Sequence, residues 1–158
     1  MKASLYLETT IVSYLVARPS RDVFTLTRQQ ATDEWWSKRS KDFDIVISDV
    51  VLDEASAGDP EPAKQRMALL KPFSVLEATT DAQELTKALI GPGLLPKKAV
   101  RDAAHLAIAS THGIHFLLTW NFRHIANAEI LENVERVCEA HGSKCPVVCT
   151  PEELMGVE

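Results

Sequence analysis

Four short segments of the chain each place an oxygen-bearing side chain beside apolar residues. These side chains are the carboxylates Glu8, Glu54 and Asp102 and the carboxamide Asn121. If the fold brings their oxygens together, they form a hard, anionic site that suits Mg²⁺ or Mn²⁺. A cation of this kind polarises phosphates and activates water, which is the chemistry of phosphodiester cleavage.

Alternating strands and helices would have to position these side chains. Strands are predicted at residues 4–7, 44–48, 73–76, 116–118 and 147–149, with helices between them. This alternation favours an α/β fold, with a parallel sheet of about five strands covered by helices on both faces. Glu8 and Asn121 follow the first and fourth strands. Both are therefore expected at the carboxyl ends of the strands, where such sheets bind ligands.

The predicted helix that carries Asp102 has clear boundaries. Pro96 suits its first position and Gly113 its carboxyl cap. Between them, small residues recur at helical spacing, so this helix is expected to pack close to the sheet.

Two further helical regions are predicted from local signals. Thr80 with Gln83 fits a capping box for a helix that ends near Ile90. After the fourth strand, a short helix and then a longer one are predicted, the second ending near His141.

Composition limits the class of protein. A chain of 158 residues is most simply one domain, spanning residues 1–158, and its 46% hydrophobic content is typical of a soluble globular protein. The net charge of −5 means that a nucleic-acid ligand would need a local basic patch. The amino terminus has no signal-peptide pattern and no apolar stretch is long enough to span a membrane, so a cytoplasmic location without a membrane partner is expected. Basic residues near the acidic segments, some of which could face phosphates, are Arg18, Arg21, Lys97, Lys98, Arg101 and Arg123.

Each acidic position also has an ordinary interpretation. A glutamate at a strand end, such as Glu8, needs no functional explanation, and Glu54 lies in a run of acidic residues that is typical of a solvated face. Asp102 lies near the small-residue stripe, where a charge is costly unless it is paired or bound to a metal. The alternative is a surface ion pair with Lys98, four residues earlier.

The polar residues beside these acids have similar alternatives. Asn121 suits a turn, since asparagine often closes one, but its amide oxygen can also orient a water. The nearby Thr119 can donate a hydrogen bond to that water or to Asn121. His105, three residues after Asp102, is either a partner of the acidic residues or a packed core histidine.

Taken in order, these segments resemble the PIN-domain family, and more closely the VapC-like toxins of bacterial type II toxin–antitoxin systems. The similarity extends over nearly the whole chain and ends with residues 146–154. The segments that carry it are Leu7-Glu8-Thr9-Thr10, the stretch from Ser48 to Glu54, Asp102-Ala103-Ala104-His105-Leu106-Ala107 and Leu118-Thr119-Trp120-Asn121-Phe122.

The resemblance implies a three-layer α/β/α PIN-like domain and a Mg²⁺- or Mn²⁺-dependent endoribonuclease. The family's three acidic positions match Glu8, Glu54 and Asp102, its fourth position falls on Asn121, and the threonine before that position matches Thr119. Glu8 and Asp102 would bind the metal, and Glu54 would hold or deprotonate a water. RNA would be the substrate, a cognate antitoxin the protein partner, and a homodimer the assembly.

Two departures from the family pattern support an alternative. Glu8 stands where the family usually has aspartate, and Asn121 replaces a charged residue with a neutral one. The alternative is a catalytically weakened or inactive PIN-like module that binds RNA or a protein partner. A phosphatase-like or receiver-like enzyme fits less well, because it needs a nucleophilic aspartate where this chain has Glu8.

Overall fold

A five-stranded parallel sheet forms the centre of the computed structural model, which describes residues 1–157. Its strand order is β3-β2-β1-β4-β5, and seven α-helices flank it, which confirms the predicted three-layer α/β/α architecture. Along the central strand, Leu5 pairs with Ile45 on one side and with Phe116 on the other. The strands are β1 (Ala3–Leu7), β2 (Phe43–Ser48), β3 (Ser74–Leu76), β4 (Phe116–Leu118) and β5 (Val147–Cys149).

The helices connect the parallel strands, and three short 3₁₀ segments supplement them. None of the helices in the described part of the chain is long and apolar enough to cross a membrane. The α-helices are α1 (Thr9–Val16), α2 (Val23–Arg39), α3 (Asp49–Ala55), α4 (Pro60–Leu70), α5 (Thr80–Ala88), α6 (Val100–Thr111) and α7 (Ala128–Ala140). The 3₁₀ segments are Ser40–Asp42, Lys97–Ala99 and Pro151–Leu154.

The predicted start of α5 was wrong by one residue. Thr79, not Thr80, is its cap, and its hydroxyl accepts a hydrogen bond from the Ala82 amide at 3.2 Å. The Gln83 side chain donates to the Ala78 carbonyl instead of closing a capping box with Thr80.

The segments around α6 and before α7 also differ from prediction. Pro96 begins a 3₁₀ turn rather than the α-helix, which starts only at Val100. Residues 122–125 form turns where a short helix was expected. The Asn121 carbonyl accepts from the Ile125 amide, at the spacing of an α-helical turn, and from the Ala126 amide one residue further on. This widens the turn, and the segment does not continue as a helix.

Both β1 and α6 contribute fully buried residues to the core. Leu5, Tyr6 and Leu7 have no exposed surface, and neither do Ala103 and Ala107 of α6. The small side chains of α6 allow its backbone to lie close to α5, whereas the sequence predicted close packing against the sheet. His105 of α6, which is also fully buried, contacts the Tyr6 ring of β1.

Candidate functional site

Glu8 lies directly after β1 and caps the first turn of α1. Its Oε2 accepts a hydrogen bond from the Thr10 amide at 3.2 Å, so the carboxylate closes the exposed amino end of the helix. Its Oε1 accepts from the hydroxyls of Thr10 at 2.5 Å and Thr119 at 2.6 Å. Although Glu8 is charged, only 3% of its surface is exposed. The ordinary interpretation of Glu8, as a glutamate that merely faces solvent at a strand end, therefore does not describe this residue.

Glu54 lies on α3, whose amino terminus is capped by the Ser48 side chain at the end of β2. Its Oε1 accepts a hydrogen bond from the Thr9 hydroxyl at 2.8 Å and lies 2.6 Å from Nε2 of His105. Burial by itself raises the pKa of this carboxyl. The hydrogen bond and charge of His105, the Thr9 hydroxyl and the charge of Arg101 outweigh burial and lower that pKa below its usual value.

A buried chain of hydrogen bonds extends inward from Glu54. His105 Nδ1 lies 2.6 Å from the Tyr6 hydroxyl, which lies 2.6 Å from the Ser48 hydroxyl. Because an ionised Glu54 can only accept, Nε2 of His105 must carry the hydrogen in this arrangement. Nδ1, on the other side of the ring, faces the Tyr6 hydroxyl. Burial, reinforced by the charges of Glu8 and Glu54, raises the pKa of Tyr6 far above its ordinary value, so the phenol stays a neutral donor.

The structure thus brings three potential metal ligands together. One atom each from Glu8, Glu54 and His105 lies within 4.8 Å of the other two. Glu8 follows β1, Glu54 follows β2 by half a dozen residues, and His105 packs against β1 from α6. The cluster therefore lies at the carboxyl ends of adjacent central strands, the edge at which the sequence predicted a site.

Asp102 contributes no atom to this cluster. Its Oδ2 lies 2.9 Å from Nδ1 of His124, and both side chains are mostly buried, with exposures of 19% and 17%. In the described residues Asp102 pairs with His124, and the predicted surface ion pair with Lys98 is not formed. The prediction that Asp102 joins Glu8 as a metal ligand stays a prediction.

Asn121 shapes the turn after β4. Its Oδ1 accepts from the amides of Arg123 at 3.2 Å and His124 at 3.0 Å. Its own amide donates to the Thr119 hydroxyl at 2.9 Å, and that hydroxyl in turn donates to Glu8. Asn121 and Thr119 thus act on the cluster through one hydrogen-bond path, with Asn121 as the residue that holds the turn.

The carboxylates of the cluster fit a divalent cation. Carboxylate oxygens are the ligands that suit Mg²⁺ and Mn²⁺, whereas both ring nitrogens of His105 already bond to Glu54 and Tyr6. Within residues 1–157, no basic side chain forms an ion pair with the buried Glu8, so its charge is stabilised by hydroxyl and amide donors alone. A buried carboxylate without a cationic partner is costly, and a bound cation would offset that cost.

Sequence reasoning missed several residues of this site. Tyr6, Thr9, Thr10 and His124 all bond directly to its members. A tyrosine inside an apolar strand is a usable signal, because its hydroxyl needs a buried partner. No comparable signal marks His124, whose pairing with Asp102 depends on the turn after β4.

Neither a family model nor a curated protein sequence matches this chain. Solved structures do match it. A chain in the structure of VapBC2 from Rickettsia felis, bound to a DNA fragment from their promoter, is 14% identical, with a TM-score of 0.51; the match covers 92% of this chain and 97% of that one. The sarcin-ricin loop cleaving toxin VapC20 of Mycobacterium tuberculosis is 17% identical, with a TM-score of 0.57; the match covers 76% of this chain and 92% of that one.

At such identities the likeness concerns the fold. The chain has a PIN-domain fold of the kind found in VapC toxins, which confirms at the level of structure the resemblance that the sequence indicated.

Proposed function

We propose that this protein is a Mg²⁺- or Mn²⁺-dependent endoribonuclease of the VapC-toxin type. The observation that carries the proposal is the cluster of Glu8, Glu54 and His105 within 4.8 Å at the carboxyl ends of the central strands. The shared fold with a toxin described as cleaving the sarcin-ricin loop supports RNA as the substrate class.

In this proposal the cation is held by carboxylate oxygens. Glu8 is the principal ligand, because it is buried and has no basic partner, and Glu54 lies beside it. Asp102 keeps the role of second ligand that the family resemblance implies. Bound there, Mg²⁺ or Mn²⁺ would supply Lewis-acid polarisation of a phosphate oxygen.

Glu54 is the proposed general base. Thr9 and His105 both bond to its Oε1, which leaves Oε2 available to accept a proton from an attacking water. A lowered pKa keeps this carboxyl ionised near neutral pH, as a base requires. His105 and Tyr6 are positioning residues that fix the carboxylate, while Thr119 and Asn121 orient Glu8 and the turn beside it.

The partners follow from the same proposal. We expect a cognate antitoxin that covers the site, a homodimeric assembly and a cytoplasmic location. The likeness to VapBC2 favours an antitoxin partner.

Cleavage of a mixed RNA substrate tests the proposal. Purified protein is incubated with RNA and Mg²⁺, Mn²⁺ or a chelator, and products are resolved on denaturing gels. Wild-type protein should cut only with metal, and Glu54→Gln should lose about 100-fold or more of the rate, the usual contribution of a general base. Asp53→Asn, at the exposed neighbouring position, is the matched control and should cut normally.

Asp102→Asn tests the proposed role of Asp102 as the second metal ligand in the same assay. It should reduce cleavage strongly while leaving the fold intact. If Asp102→Asn and wild type cut equally, Asp102 has no part in the reaction.

A specific observation favours the alternative, an inactive module that binds RNA or protein. Glu8 caps α1 and accepts three hydrogen bonds, and Asn121 holds a turn, so both have structural roles that need no catalysis. Calorimetric titration with Mn²⁺ separates the two functions. An inactive module should bind no Mn²⁺ at micromolar to millimolar concentrations, whereas the nuclease should bind it and lose binding in Glu8→Gln.

A further inference from the structure

An aromatic ring lies exposed next to the acidic cluster. Phe122 directly follows Asn121, and 45% of its surface is open to solvent. The guanidinium carbon of Arg28, on α2, lies 5.0 Å from the centre of this ring. The Trp120 ring lies 6.0 Å away at a steep angle and is itself buried. Arg28 and Trp120 thus hold the Phe122 ring in place while much of its surface stays accessible.

Hydrogen bonds connect the segment before this ring to Glu8, the proposed metal ligand. The Trp120 amide donates to the Thr10 hydroxyl at 2.9 Å, and the same hydroxyl donates to Oε1 of Glu8. The Asn121 amide reaches Glu8 through Thr119. Two successive residues before Phe122 are therefore anchored to the site, which places the ring at its rim.

Two arginines lie beside the ring in space or in sequence, although the chain as a whole carries −5. Arg28 lies over Phe122, and the exposed Arg123 follows it in the sequence. An anionic polymer would meet these guanidinium groups as it approached the carboxylates. Proteins that bind single-stranded nucleic acids combine aromatic rings with cationic side chains, because bases stack on the rings and phosphates contact the cations.

We propose that Phe122 and Arg28 form a stacking platform for a base of single-stranded RNA beside the scissile phosphate. The platform rests on the proposed nuclease function, since it supplies substrate to that site. The ring contacts the flat face of a base and not its hydrogen-bonding edge. The platform therefore selects unpaired RNA but no particular sequence.

Binding without cleavage tests the platform separately from the nuclease. A labelled 12-nucleotide oligouridylate is titrated in a chelator, and fluorescence anisotropy gives Kd for wild type, Phe122→Ala and Phe122→Tyr. A second titration uses a 12-unit ribose-phosphate oligomer that lacks bases. Val75→Ala is the control, because Val75 is 42% exposed on an edge strand.

Loss of one stacking contact weakens binding roughly 5- to 100-fold. Phe122→Ala should raise Kd for oligouridylate by such a factor, while Phe122→Tyr and Val75→Ala should keep wild-type Kd. The base-free oligomer should bind more weakly than oligouridylate to wild type and equally to wild type and Phe122→Ala.

Three outcomes overturn the platform: no RNA binding by wild type, equal Kd for wild type and Phe122→Ala, or an equal effect of Phe122→Ala on the base-free oligomer. If the wild-type protein binds RNA through Phe122 but cuts no RNA with Mg²⁺ or Mn²⁺, the nuclease proposal is refuted and the platform is supported. If Phe122→Ala instead abolishes capture of a protein partner and leaves RNA binding unchanged, the ring belongs to a protein interface.

Discussion

The Nε2 atom of His105 lies 2.6 Å from Oε1 of Glu54, and this bond joins α6 to α3 at the carboxyl end of the sheet. Since His105 is fully buried and Tyr6 holds its other ring nitrogen, the imidazole has no freedom to turn. Glu54 is therefore positioned from inside the protein, while a quarter of its side chain stays open to solvent.

Removal of the imidazole should destabilise the fold. His105→Ala leaves a cavity and deprives both Tyr6 and Glu54 of their partner. We expect the free energy of unfolding to fall by roughly 2–4 kcal/mol, measured by urea titration. His112→Ala, at an exposed position one residue beyond α6, should change it by less than about 0.5 kcal/mol. A similar small change for both variants would contradict the buried role of His105.

The Tyr6 hydroxyl should matter both for stability and for the position of Glu54. Tyr6→Phe removes the atom between Ser48 and His105, at an expected cost of about 1–3 kcal/mol in the free energy of unfolding. RNA cleavage should fall as well, but less than in Glu54→Gln, because the base itself remains. Tyr14→Phe is the control, since the Tyr14 hydroxyl has no hydrogen-bond partner in the described residues. Unchanged stability and cleavage in Tyr6→Phe would refute the positioning role.

The lowered pKa of Glu54 predicts a pH dependence of stability. The unfolded carboxyl has a pKa of about 4.3, and the folded value lies below it. The stabilising contribution is therefore complete above the unfolded value and is lost as the pH falls through the folded value. The difference in unfolding free energy between wild type and Glu54→Gln should be larger at about pH 7 than at about pH 3. A difference that stays constant between these pH values would show that Glu54 titrates normally in the folded protein.

Asn121→Asp should strengthen metal binding without disturbing the turn. Aspartate keeps the oxygen that accepts from the amides of Arg123 and His124, and adds one negative charge at the rim of the site. We expect a lower Kd for Mn²⁺ by calorimetry and an unchanged melting temperature. Asn127→Asp, which caps α7 in a similar way, is the control and should leave the Kd unchanged. Equal Mn²⁺ affinity in Asn121→Asp and wild type would place Asn121 outside the metal site.

Strands and helix order were predictable because their signals are local. The strands predicted at residues 44–48 and 147–149 both form in the structure, the first beginning one residue earlier, at Phe43. The position of Glu8 at the site was also predictable, because strand alternation places it at the carboxyl edge. The local rules erred at Thr80 and after β4, where neighbouring residues form other bonds: Thr79 caps α5, and the Asn121 carbonyl closes a single turn.

The contacts within the site were less predictable because they join distant segments. Asp102 and His124 are 22 residues apart, and Tyr6 and His105 are 99 residues apart. No spacing rule connects such pairs, since only the packing of α6 and the turn after β4 brings them together. His105 was a candidate from its place near Asp102, yet its bond is to Glu54.

The Thr10 hydroxyl accepts from the Trp120 amide and donates to Oε1 of Glu8, and the Thr119 hydroxyl links the Asn121 amide to the same oxygen. Any force that displaces the segment before Phe122 must either break these two links or move Glu8 with it. A contact made at the Phe122 ring is thus mechanically coupled to the alignment of the Glu8 carboxylate through two threonine hydroxyls, neither of which ionises.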